Sequence, residues 1–155
     1  MKREQLLTRL EQAWAALGES YAGLSDAEMI TPGVVGDWSV KDILAHVSTW
    51  EEEALKYLPL IVEGGRPPRY ASYGGLDAFN AQMTAAKRGM TLAEVVRRLE
   101  ETHRELIAYL RTVPEEQFTT ETRFRHRLRL DTYSHYPLHT HMIRAWREQA
   151  AEPAL

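Results

Sequence analysis

The chain has 155 residues, 44% hydrophobic and 26% charged, with a formal net charge of −3. That is the balance of an ordinary globular protein: it excludes a disordered chain and any general attraction to nucleic acid or anionic lipid, and no run nears the roughly 18 apolar residues of a membrane span. Cysteine is absent, which removes disulfides, thiolate metal sites and a cysteine nucleophile, leaving histidine and the carboxylates as strong metal ligands.

The length predicts one domain over residues 1–155. The opening MKREQLLTRL is charged and amphipathic from its first residues, unlike a signal peptide, so a cytoplasmic location is expected. Leu6, Leu7, Leu10, Ala13, Trp14 and Leu17 form one apolar stripe, and Gly18 is the expected stop of the first helix. After a loop through TPGVVGD, Ser39 and Asp42 make a capping box for a second helix running to about Val62. Trp38 and Ile43 are placed to staple its start, and Pro59 to bend its end. The stretch EGGRPPRYASYGG is turn-rich and reads as a surface loop. LDAFNAQMTAAKR then gives a short helix closing at Gly89. Thr91 and Glu94 form a second capping box, opening a long helix with Leu92, Val95, Val96, Leu99, His103, Leu106, Ile107 and Leu110 on its apolar side. FTTETRFRHRLRL reads as basic and irregular. The last helix is expected to begin near Asp131 or Ser134 and carries Leu138, Met142, Ile143 and Trp146. Four main helices with short connections predict an all-α, up-and-down bundle with one longer crossover and a short extra helix.

Three of the chain's histidines fall within SHYPLHTH, residues 134–141. On a helix, residues four apart share a face, so His135 and His139 form a pair able to grip one divalent cation. His141 points about 200° away by the same geometry and is a bystander. Pro137 between the pair is tolerated only in the first turn of a helix and otherwise kinks it. Such a pair also arises by chance on polar faces, so a third ligand is needed. His46, on the apolar side of the second helix, is the candidate; a histidine so placed is, alone, more often a core residue bonded to a backbone carbonyl than a ligand. Adjacent helices of a bundle can bring all three inward.

GDWSVKDILAHVSTWEEE resembles the second helix of the DinB/YfiT-like bundles, in which a W-S-hydrophobic-x-D/E-x-x-x-H-x-x-x-W run carries the first metal histidine. HYPLHTHMIRAW resembles their last helix, whose H-x-x-x-H supplies the other two. Motif order and spacing agree, so the likeness spans nearly the whole chain. WSVKDILAH, the FN stretch and the IRAW ending look most similar to the ClbS/DfsB branch. The resemblance implies a four-helix bundle with His46, His135 and His139 as metal ligands. Many members with thiol-transfer activity end the last helix in H-R-G-Q, whereas here Thr140, His141 and Met142 follow His139. Members of the ClbS/DfsB branch do not all keep the histidines.

Three neutral imidazoles hold zinc, nickel, iron or manganese, leave positions open, and acidify what binds there. The resemblance therefore implies a divalent-metal-binding protein with a small-molecule substrate: a thiol S-transferase using a low-molecular-weight thiol, or a hydrolase, acting on an electrophile. The alternative it implies is a metal-independent protective protein that binds or hydrolyses a reactive small molecule, or binds DNA. Relatives pair into homodimers, which makes a homodimer the implied assembly. Asp42, Glu51 or Glu52 would orient the ligand rings, although Asp42 also caps its helix and Glu51 to Glu53 read as a solvated charge run. The tryptophans read as core and Tyr57, Tyr70 and Tyr73 as packing or a pocket mouth. His103 reads as a buried histidine with one hydrogen bond. Arg123 to Arg129 form a concentrated basic run that would suit an anionic substrate, a partner or nucleic acid. Without interleaved aromatics beyond Phe124, and against a net negative charge, it reads as a solvated segment.

Overall fold

A computed structural model of the protein describes residues 1–151. Among these residues lie eight α-helices: α1 (Arg3–Tyr21), α2 (Asp26–Met29), α3 (Val40–Val62), α4 (Leu76–Lys87), α5 (Leu92–Leu110), α6 (Glu116–Thr119), α7 (Arg123–Asp131) and α8 (Tyr136–Ala151). The fold is all-helical, a bundle built on α1, α3, α5 and α8, as the apolar periodicity predicts. No described helix is long and apolar enough to cross a membrane.

Both capping boxes form. The Ser39 hydroxyl accepts from the Asp42 N–H at 3.1 Å while Asp42 accepts from the Ser39 N–H at 3.0 Å, and Thr91 and Glu94 exchange the same pair at 3.1 and 2.9 Å. Each box satisfies backbone donors that a helix start leaves free. α3 runs to Val62 through Pro59. It is the central element, packing on α5, α4, α7 and α8, while α1 packs chiefly on α8. Leu6, Leu10, Ile43, Leu44, Leu58, Leu99, Leu106 and Ile143 are all buried in the core between them.

The structure corrects three expectations. Gly18 does not stop α1, which continues to Tyr21 with Ser20 buried beyond it; one glycine costs a helix interior only about 1 kcal/mol. Residues 118–130 are not irregular: α7 starts at a Thr122 cap that accepts from the Arg125 N–H at 3.0 Å. Phe124 and Leu128 bury one narrow stripe of it, with Phe124 edge-on to Phe118 at 5.3 Å. Four arginines masked that stripe in the sequence. Third, Asp131 ends α7, and residues 132–135 form a turn before α8. Pro137 is then the second residue of α8, where no N–H is needed, and the kink is avoided.

The loop at 63–75 is also more ordered than expected. Tyr70–Tyr73 form a 3-10 turn, followed by Gly74 and Gly75 at φ 95° and 106°. Those left-handed angles are costly for any other residue, and they swing the chain into α4.

Candidate metal centre

His46 projects from the second turn of α3, His135 from the turn before α8, and His139 from the first turn of α8. The His135 Nε2 lies 3.0 Å from that of His46 and 2.9 Å from that of His139. One candidate ligand atom from each falls within 4.8 Å of the others, a set that could hold a metal ion. Although His135 sits just outside α8, its four-residue offset from His139 survives because the Tyr136 N–H bonds back to the Thr132 carbonyl at 2.9 Å, continuing the helical path. The rings meet edge to face, with centroids 4.6 to 4.9 Å apart.

Burial keeps all three rings neutral. It takes His46 down to about 2, with the neighbouring His135, His139 and Lys87 adding to the effect. Burial first and His139 second hold His135 near 3, and burial alone holds His139 near 4. A neutral imidazole is the ligand form, so the pocket prepays the deprotonation that metal binding otherwise demands. Each neutral ring carries one N–H; with that proton on Nδ1, the three Nε2 atoms turn lone pairs toward one another that a cation would satisfy. The donor set therefore fits a divalent ion.

The second ring nitrogens depart from expectation. The Nδ1 atoms of His46, His135 and His139 are buried without a hydrogen-bond partner among the described residues. Asp42 serves the cap and an ion pair with Arg88, and Glu52 pairs with Lys87 and Arg98. Trp38 packs against the His46 ring at 5.1 Å instead, so packing orients it where a carboxylate was expected.

Glu51 is not solvated: its side chain is fully buried. It accepts from the Tyr136 hydroxyl at 3.0 Å and pairs with His103 Nδ1 at 3.2 Å. His103 meets Glu11 through its Nε2 and stacks on Trp14, with ring centroids 3.7 Å apart. His103 thus has two carboxylate partners, not one. Burial pulls its pKa down, but Glu51 and Glu11 outweigh burial and leave it raised. Burial raises that of Glu51, against the pull of His103 and Tyr136. α1, α3, α5 and α8 each contribute a side chain to this network, and Tyr136 directly follows His135.

The triad opens into a cleft of about 480 Å³ that is also lined by Trp50, Tyr70, Asn80, Arg127 and Asp131. The Trp50 indole donates to the Asn80 side-chain carbonyl at 2.8 Å. Arg127 donates to Asp131 at 2.6 Å and to the Tyr70 hydroxyl at 2.7 Å. Burial pushes the Asp131 carboxyl up to about 7 against that guanidinium. Tyr70 is therefore at the pocket mouth, while Tyr73 packs on Phe79 and Tyr57 lies against Arg127. Sequence reading missed Arg127, Asp131 and Asn80; the FN stretch pointed to the last, and the RFRHRLR run hid the first. His141 is exposed, as its angle predicts.

His46 and His139, both buried, and the half-buried His135 converge from the central helix, the last helix and the turn before it at the floor of an open cleft. The DinB superfamily family model matches residues 9–142, and the chain belongs to that superfamily. Among solved structures, the "Sibling Lethal Factor Precursor - DfsB" superposes with a TM-score of 0.81 at 15% identity, covering 99% of both chains. The colibactin self-resistance protein ClbS, in complex with a dsDNA, gives 0.79 at 15% identity over 98% of both. A protein from Streptococcus pneumoniae gives 0.78 at 15% identity, over 96% of this chain and 91% of its own. At such identities the likeness is one of fold, and it agrees with the ClbS/DfsB resemblance in the motifs. No curated protein matches the sequence.

Proposed function

We propose that the protein is a metal-dependent enzyme in which His46, His135 and His139 hold one divalent ion and an electrophilic small molecule occupies the adjoining cleft. The observation that carries this reading is the mutual approach of three neutral imidazoles, two buried and one half-buried, at the floor of a solvent-open cavity. When bound, zinc, nickel, iron or manganese supplies Lewis acidity toward water or a low-molecular-weight thiol, the reagents of a hydrolase or an S-transferase. The protein's own contribution is positional. His46 comes from a rigid helix, His135 and His139 from a turn and the helix start it leads into, and Trp50 and Tyr70 wall the cleft beside them.

Metal analysis of untagged protein tests the reading. Near-stoichiometric metal that falls away in His46→Ala, His135→Ala and His139→Ala supports it. Metal-free protein, with those variants unchanged in stability, overturns it. One feature favours a second reading, that of a metal-independent protective protein: the three Nδ1 atoms lack the partners that usually brace ligand histidines. The same variants separate the two, since the second requires small-molecule binding to survive removal of metal. For nucleic acid α7 offers the exposed Arg129, which contacts the His126 ring, while its other arginines are engaged. Arg123 donates to the Gly65 carbonyl, Arg125 pairs with Glu121, and Arg127 is committed to Asp131.

A further inference from the structure

Large hydrophobic side chains left in water are informative when they gather around a concavity. Leu76, Leu130 and Leu138 are 54%, 51% and 52% exposed, and all three line the cleft above the histidines. They come from three separate elements: the first residue of α4, the last turn of α7 and the first turn of α8. Nothing in the packing of those helices needs them there, since Phe79, Phe124, Leu128 and Ile143 supply the buried stripes.

The charged groups of the wall are engaged with one another. Arg127 pairs with Asp131 and lies within 6 Å of the Trp50, Tyr57 and Tyr70 rings. The Asn80 carbonyl is taken by Trp50. What the cleft offers beyond its imidazole floor is therefore chiefly apolar and aromatic surface, with the Arg127–Asp131 pair as its charged element. Its volume, about 480 Å³, suits a drug-sized molecule.

We propose that the substrate carries an uncharged apolar arm, an alkyl chain or a comparable lipophilic body, seated against Trp50 and the rim leucines while its polar reactive end meets the histidine floor. The assignment rests on the metal-centre reading for the polar end alone. A rim that follows the mouth of a deep cleft, continuous with its floor, fits a single elongated molecule better than a flat face of a second copy.

Two probe pairs test it by calorimetry. On cobalt-loaded protein, octanohydroxamate has six more methylenes than acetohydroxamate, each worth about fourfold when buried, and should bind at least about 30-fold tighter. The doubly substituted Leu130→Ser/Leu138→Ser protein should shrink that ratio below about fivefold and leave acetohydroxamate unchanged, because both leucines are exposed and unneeded for the core. On metal-free protein, octanamide should still bind more tightly than acetamide, with the same loss in the double variant. Equal affinities within both pairs overturn the apolar arm. Failure of the hydroxamates alone, with octanamide retained, overturns the metal centre and keeps the arm. A fall in mass from dimer to monomer on the double substitution overturns the proposal by making the rim a contact between copies.

Discussion

Replacing His103 by leucine tests the buried network beneath the histidine centre. Glu51 is wholly inaccessible, and its carboxylate has two partners, the His103 ring at 3.2 Å and the Tyr136 hydroxyl at 3.0 Å. His103→Leu leaves that carboxylate buried with one hydrogen bond and removes the stack on Trp14. Stranding one member of a buried ionic pair costs about 3–5 kcal/mol. For a chain of this size, where 1 kcal/mol shifts Tm by roughly 2–4 °C, the drop is about 10 °C or somewhat more. Substituting the whole group (Glu51→Leu, His103→Leu and Tyr136→Phe together) removes every stranded polar atom but that of the half-exposed Glu11, so the triple variant should be more stable than His103→Leu alone. Urea unfolding of the proteins, with the slope m compared across them, measures both quantities. A single variant within about 1 kcal/mol of the parent, or a triple variant at least as unstable as the single one, would refute the ionic account of this network.

Acidity should weaken the metal-free protein through its histidine centre. The folded pKa values of about 2, 3 and 4 lie below the free value of 6.5, so between pH 6.5 and 4 the unfolded chain takes up protons that the folded one refuses. Stability is then full above pH 6.5 and falls as pH drops, by up to about 1.4 kcal/mol per pH unit for each histidine. Thermal melts of chelator-treated protein at pH 7 and 5 should show the loss, and His139→Asn should have a shallower slope; equal slopes contradict the assignment. Ser39→Ala and Thr91→Ala each remove an N-cap acceptor and should cost about 1 kcal/mol, read as a Tm drop of a few degrees. Duplex DNA titrated at rising salt should show weak binding with a shallow slope, because two of the four α7 arginines, Arg125 and Arg127, pair with carboxylates; a slope above about 3 would show several free phosphate contacts.

What could be read from the chain was local in origin. Ser39 with Asp42 and Thr91 with Glu94 announce helix starts within four residues, and both helices begin there. The four-residue offset of His135 and His139 likewise needs no tertiary information. Their convergence with His46 came from the bundle expectation and the motif resemblance, since 89 residues separate His46 from His135. Glu51 escaped because its neighbours Glu52 and Glu53 make a charge run, and only His103 and Tyr136, distant in sequence, reveal that it faces inward. Arg127 and Asp131 escaped for a related reason: amid alternating arginines no local signal singles out the one that turns to a cleft.

That same separation of His46 from His135 gives an ion a mechanical part in the molecule. Coordination across it would pin the middle of the chain to the turn leading into its last helix, closing a long loop that the unfolded polymer would have to keep tied. Ligation would then add to folding stability in proportion to the logarithm of ion concentration over Kd, about 2.7 kcal/mol at a hundredfold excess. A melting-temperature survey across candidate cations would rank their affinities without any knowledge of what the protein transforms.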